Sequence, residues 1–210
     1  MGVATPAQLV NQYGQKMGRK GQLTRQRIMS IALKMLGNSS YKDLTVSDLA
    51  AKAKVSNATF YVYFKDIEDV LFACVEAASL DMNAMFDILN ETWTSENLKS
   101  QLEKFVDSFN TLWEKHRVEL RIRNIEADQG NARFLNFRQL STIELLNRFG
   151  EKLAELNPRL ENPEYISMVI YTAMERLAAL NQMGILGSNS ISRRGLDDAI
   201  VELLYMALKK

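Results

Sequence analysis

A chain of 210 residues can bury a full core, either as one large domain or as a small domain on a larger one. Its single cysteine, Cys74, excludes an internal disulfide, and its single histidine, His116, leaves no zinc site of the usual His/Cys kind, so neither metal nor cofactor is expected. The net charge of +1 conceals a basic head and an acidic body: residues 16–65 hold ten Lys or Arg against two acids, residues 66–210 hold sixteen against twenty-three, and the asymmetry favours a polyanion partner for the head.

The start, MGVATPAQLVNQYGQ, has neither the charged nor the apolar region of a signal peptide, and no apolar run approaches the ~18 residues of a membrane span. A cytoplasmic protein with no membrane partner is expected. Residues 1–22 read as a flexible basic arm, whose Lys16, Arg19 and Lys20 either reach nucleic-acid phosphates or a minor groove or make no contact. A first helix is predicted from Thr24, with Ile28, Ile31, Ala32, Met35 and Leu36 at helical spacing and Gly37 as its stop. Thr45 then caps a short amphipathic run carrying Val46, Leu49, Ala50 and Ala53, and Asp48 completes an approximate capping box. After Lys54 and Val55, Ser56 caps a second short helix with Phe60 and Phe64 on its apolar side and Asn57, Thr59, Tyr61 and Tyr63 pointing elsewhere. Two short helices joined so tightly cross steeply, as in a helix-turn-helix, here over residues 45–64 of a three-helix domain at 23–65.

Ser56, Thr59, Phe60, Tyr61, Tyr63 and Phe64, followed by Lys65, Asp66, Glu68, Asp69 and Val70, resemble the recognition helix and fourth-helix start of the TetR family of transcriptional regulators. The resemblance covers about residues 24–75. Lys54 stands where the family has its turn glycine, and Ala58 where it has a glycine after the second cap. A lysine held at positive φ costs on the order of 1 kcal/mol more than glycine. The resemblance implies phosphate contacts from Thr45, Tyr61, Tyr63 and Lys65, base-edge contacts from Asn57, Ala58 and Thr59, and a backbone-proximal cap at Ser56, all on a palindromic double-stranded operator.

Residues 66–210 read as a ligand-binding and dimerisation domain. Asp66 opens a fourth helix predicted to run as one rod to about Trp93, with Cys74 on its apolar side as a small hydrophobe. Ser95 is expected to cap a fifth helix bearing Leu98, Leu102, Phe105, Val106, Phe109, Leu112 and Trp113. A sixth follows the break at His116 and ends at Gly130, a seventh covers about residues 132–156, and Pro163 starts an eighth that is apolar nearly all round. Residues 184–192 read as a loop, after which Ser192 caps a last helix. There is no strand signal, so the fold class is all-α: a three-helix head on a six-helix body.

No Walker loop or dinucleotide fingerprint is present, and any Ser/His/acid chemistry would rest on His116 alone, so the chain does not read as an enzyme. Glu175, inside the apolar eighth helix beside Arg176, is either half of a buried pair or a polar anchor for a ligand. Phe86, Leu89, Trp93, Phe105, Phe109, Trp113, Phe134, Phe137, Tyr171 and Met174 can converge, each stripe serving as plain core or as part of a pocket. The family resemblance, with a fainter similarity of AMERL (173–177) and TFYVYF (59–64) to the ethionamide-resistance regulator subgroup, implies a pocket for a small apolar or aromatic effector. The eighth helix has more apolar surface than one body covers, so Ile170, Leu177, Leu196, Ile200 and Leu203 of the last two helices are expected in a homodimer interface. The function expected is that of a ligand-responsive repressor. A regulator controlled by a protein partner is the alternative.

Overall fold

The computed structural model describes residues 10–36, 44–182 and 192–209. The predicted helix stop at Gly37, most of the loop at 184–192 and the first nine residues of the arm lie outside them. Contacts divide the chain into two units, residues 1–77 and 78–210.

In the first unit, α1 (Arg19–Leu36), α2 (Val46–Lys52) and α3 (Asn57–Tyr63) precede α4 (Ile67–Ser79). Ile28, Ala32, Leu49, Ala53, Phe60, Phe64, Val70 and Cys74 fill its core. Asp66 caps α4, accepting from the Asp69 N–H at 2.8 Å. α1 begins five residues before Thr24, and residues 10–16 form a turn closed by a Val10–Lys16 bridge, with Met17 buried. From Val10 onward the expected flexible arm is therefore built into the unit. Arg19 and Lys20 belong to the first turn of α1.

In the second unit, a 3₁₀ turn (Leu80–Met82) leads into α5 (Asn83–Asn90), followed by α6 (Leu98–Lys115), α7 (Arg117–Asp128), α8 (Ala132–Leu156), α9 (Pro163–Gln182) and α10 (Arg193–Leu208). The fourth helix is thus not one rod. It is interrupted where Asp81 is held at 2.6 Å by both Lys115 Nζ and His116 Nε2, and it stops at Asn90, with Trp93 beyond it donating from Nε1 to the Ile88 carbonyl at 2.9 Å. Ser95 is not the cap of α6. Asn97 takes that place, its side chain folding back on the Thr94 N–H at 2.7 Å and the Thr92 carbonyl. The caps at Asn131 and Ser192 hold α8 and α10 as ordinary N-caps.

α8 packs on α9 and α7, α10 on α6, and α5 on α6 and α8. Gly150 permits a close approach of α8 to the start of α9, since a Cβ there would lie 3.2 Å from the Glu164 Cα. Beside it, the buried Ser167 hydroxyl donates across the interface to the Leu146 carbonyl at 3.0 Å. No helix among the described residues is long and apolar enough to cross a membrane.

Candidate nucleic-acid interface and effector site

Local chemistry sets the geometry of α2 and α3. Thr45 Oγ1 accepts from the Asp48 N–H at 3.1 Å while its hydroxyl donates to the Asp48 carboxylate at 2.6 Å, so Asp48 pairs with the cap through its hydroxyl, where a full capping box uses the cap's backbone N–H. Ser56 Oγ accepts from the Thr59 N–H at 3.0 Å and shares a 2.9 Å contact with the Thr59 hydroxyl. Between them the chain turns through Lys54 at φ 54°, the left-handed conformation anticipated for a position where relatives use glycine.

This turn sorts the residues of α3. Phe60 and Phe64 are fully buried, their ring centroids 5.9 Å apart, and the Arg25 guanidinium lies 5.0 Å from the centre of the Phe64 ring. Asn57, Ala58 and Tyr61 face outward with Ser56 and Lys65, whereas Thr59 and Tyr63 are half-buried. The Asn57 amide donates to the Ser47 hydroxyl at 3.3 Å, which ties the first turn of α3 to α2.

In the body, Leu89, Trp93, Phe105, Phe109, Trp113, Tyr171 and Met174 do meet, in one core cluster against which Phe86 packs. They touch one another. The Phe105 and Phe149 rings stack at 4.6 Å, and Phe109 meets Tyr171 edge-on at 5.7 Å. Phe134 is buried outside that cluster, and Phe137 is half-buried. A groove of about 640 Å³ between α5 and α8 shares only Leu89 with the expected pocket and is otherwise largely polar, with Asn90, Asn147, Arg148 and Lys152 on its walls.

Glu175 does pair, but with Arg123 of α7 rather than Arg176: its Oε1 accepts from Arg123 Nη2 at 2.5 Å and from the Asn124 amide at 3.4 Å. Arg123 is almost fully buried. Burial pushes the Tyr171 phenol up from its usual range, and the nearby Arg123 partly offsets this. Sequence reasoning did not single out Arg123. The available signal was its place on α7 with Glu119 and Glu126, spaced four and three residues apart on one face, and all three are buried. His116, at the α6–α7 joint, is held between Asp81 and Glu119 Oε1, the latter at 3.3 Å from Nδ1. Among the described residues no group of three or more His, Cys, Asp or Glu is placed to hold a metal ion.

The expected dimer residues separate. Leu203 is exposed and Ile170, Leu177 and Leu196 are half-buried, but Ile200 is only 6% exposed and belongs to the body's own core. Ile200 therefore packs its side chain into the body's own core. On α10 it lies about 60° around the helix from Leu203, on the side shared with the buried Val201, Leu204 and Leu208. The outward apolar residues of α9 and α10 are Tyr165, Met168, Val169, Leu203 and Met206.

The family model for bacterial regulatory proteins of the tetR family matches residues 28–74. An uncharacterized HTH-type transcriptional regulator of Mycobacterium tuberculosis is 40% identical over 65 residues, which span 30% of this chain and 30% of that protein. The fatty acid degradation regulator FadR of Bacillus halodurans superposes with a TM-score of 0.68 at 18% identity, covering 93% of this chain and 99% of its own. A TetR-like transcriptional regulator of Rhodococcus sp. RHA1 superposes with a TM-score of 0.65 at 19% identity, covering 91% and 96%. At these identities the two superpositions show a shared fold. Residues 28–74 are thus similar to the tetR family of bacterial regulatory proteins, and the chain takes the fold of solved TetR-like regulators.

Proposed function

We propose that the protein is a DNA-binding transcriptional regulator that works as a homodimer, reads a palindromic operator with one α3 per protomer, and represses until a small apolar or aromatic effector releases it. The observation that supports this best is the head's geometry: two capped helices joined through the left-handed Lys54, with Asn57, Ala58 and Tyr61 outward and Phe60 and Phe64 inward. Thr45, Tyr61, Tyr63 and Lys65 bind phosphates, Asn57, Ala58 and Thr59 read base edges, and Ser56 caps the helix beside the backbone. The dimer forms through the outward faces of α9 and α10, where Tyr165, Val169 and Leu203 leave apolar surface uncovered.

The effector enters among the aromatic side chains of the body, with Tyr171, Glu175 or Asn147 as hydrogen-bond partners, and lowers operator affinity by its differential affinity for the two states of the protein. One structural neighbour is a fatty acid degradation regulator, which makes acyl chains the first effectors to test. Selection of bound duplexes from a random pool, followed by titration of the recovered operator with and without fatty acids, tests the reading. A palindromic consensus whose affinity falls five- to 150-fold with one effector class is the expected result, equivalent to ~1–3 kcal/mol of coupling. Recovery of no consensus sinks the DNA-binding reading. A consensus indifferent to every small molecule that raises the melting temperature sinks the effector reading and leaves control by a protein partner.

A further inference from the structure

The turn at residues 10–16 makes contacts that a passive leader does not need. Gln12 donates its backbone N–H to the Val62 carbonyl at 3.0 Å, satisfying one of the last acceptors of α3, which has no partner within the helix. Its side-chain amide donates to Asp69 Oδ2 at 2.9 Å, and the same carboxylate accepts from the Lys65 N–H at 3.2 Å. The turn is itself closed. Asn11 Oδ1 accepts from the N–H groups of Tyr13 and Gln15 at 3.0 and 2.9 Å, Gly14 takes the left-handed φ of +75° that the reversal requires, and Met17 is buried behind it.

A turn pinned this firmly to the end of α3 carries at its tip a tyrosine that is 70% exposed, followed by Lys16, which is also exposed. Residues 10–36 contain six Lys or Arg and no Asp or Glu, and Lys16, Arg19, Lys20, Arg27 and Lys34 all face solvent. Holding an aromatic hydroxyl and an exposed lysine beside the C-terminal end of α3, on a segment with six cations and no acids, suits a polyanion that already occupies α3.

We infer that the turn at residues 10–16 is a second DNA-contacting element of the head: Gln12 positions it against α3, and Tyr13 and Lys16 bind backbone phosphates beside those reached by the recognition helix. This rests on the DNA-binding reading proposed above. It assigns phosphate contacts outside the helix-turn-helix, and phosphate contacts add affinity and salt dependence without adding base preference.

The test uses the full chain, the selected operator and an unrelated duplex, with affinity measured across a salt series. Lys16→Ala is expected to weaken both complexes several-fold and to reduce the slope of log K against log salt by about 0.9, the value of one phosphate contact. Tyr13→Phe, which removes only the hydroxyl, is expected to weaken both by a smaller factor with the slope unchanged. Gln12→Ala, which keeps both contacting side chains and the backbone bond to Val62 but removes the tie to Asp69, should reproduce part of the combined loss while the consensus recovered by selection stays the same. Wild-type affinity and slope for Lys16→Ala and Tyr13→Phe, alongside a loss for Lys65→Ala, would overturn the inference while leaving the DNA-binding reading intact. Loss of binding only in step with a lowered melting temperature would overturn it too, by assigning the effect to folding. A wild-type protein that retains no duplex removes both.

Discussion

Head and body are both helical, but they treat polar side chains in opposite ways. Among the described residues every buried polar or charged side chain, namely Gln101, Glu119, Arg123, Glu126 and Ser167, lies in the body, while the head's core is apolar throughout. The head uses its polar groups at caps and at the surface, where Thr45, Ser56 and Asp66 satisfy orphan N–H groups at little desolvation cost. The body instead carries an arginine inside an aromatic core. Replacing a buried ion pair by apolar side chains is often neutral or stabilising, so the buried pair of the body is weak evidence of stabilisation.

The sharpest test of this contrast within the body is a pair of charged substitutions three residues apart on α10. Ile200→Asp puts a carboxylate into the core and should cost about 4 kcal/mol or more, read as loss of the folded state in urea titration. Leu203→Glu, at a side chain 57% exposed, should change monomer stability by no more than ~0.5 kcal/mol yet abolish self-association in sedimentation. Equal unfolding by both would show that the outward face of α10 is not free.

Next in size is the interior ion pair. Arg123→Met leaves the Glu175 carboxylate with only the Asn124 amide and should destabilise by about 3 kcal/mol, whereas adding Glu175→Leu to the same protein should recover most of the loss. If the double variant is stable but has lost its effector response, the pair serves recognition. If it responds normally, the pair is structural.

In the head the effects are smaller because they are local. Thr45→Ala removes the cap of α2 and should cost about 1 kcal/mol, while Lys54→Gly relieves the left-handed lysine and should gain up to ~1 kcal/mol in chemical denaturation. No gain from glycine would mean that its greater freedom in the unfolded chain offsets the relief.

The smallest effect is a pH dependence centred on Asp81. Hydrogen bonds from Lys115 and then from His116 hold its carboxyl below the ordinary value near 3.8. A depressed folded-state pKa gives stability that is complete above that ordinary value and disappears as pH falls through the lowered one. Asp81→Asn should therefore flatten the acid limb of a stability profile below about pH 4 and leave its shape near neutrality unchanged, as thermal melts across that range would show.

How much of this was legible depended on distance along the chain. The caps at Thr45, Ser56, Asp66 and Ser192 and the start of α9 at Pro163 were readable because each is decided by a few neighbouring residues, while the left-handed Lys54 followed from the family resemblance, which has a glycine at that turn. The apolar stripes likewise showed that Phe105, Phe109, Trp113 and Tyr171 could converge, since hydrophobic spacing specifies a buried face without naming its partner. What spacing cannot carry is which buried groups pair across helices, and those outcomes belonged to the tertiary structure alone. Arg123 rather than Arg176 found Glu175, fifty-two residues away. Asp81 was taken by Lys115 and His116 where the pattern ran on as one helix, Gln12 reached across to Asp69 where composition suggested a loose arm, and Ile200 turned inward because α6 supplied the surface that covered it. Local propensity and periodicity determine which segments become helices and which sides they bury, while the cost of desolvating charge is settled only when distant segments come together.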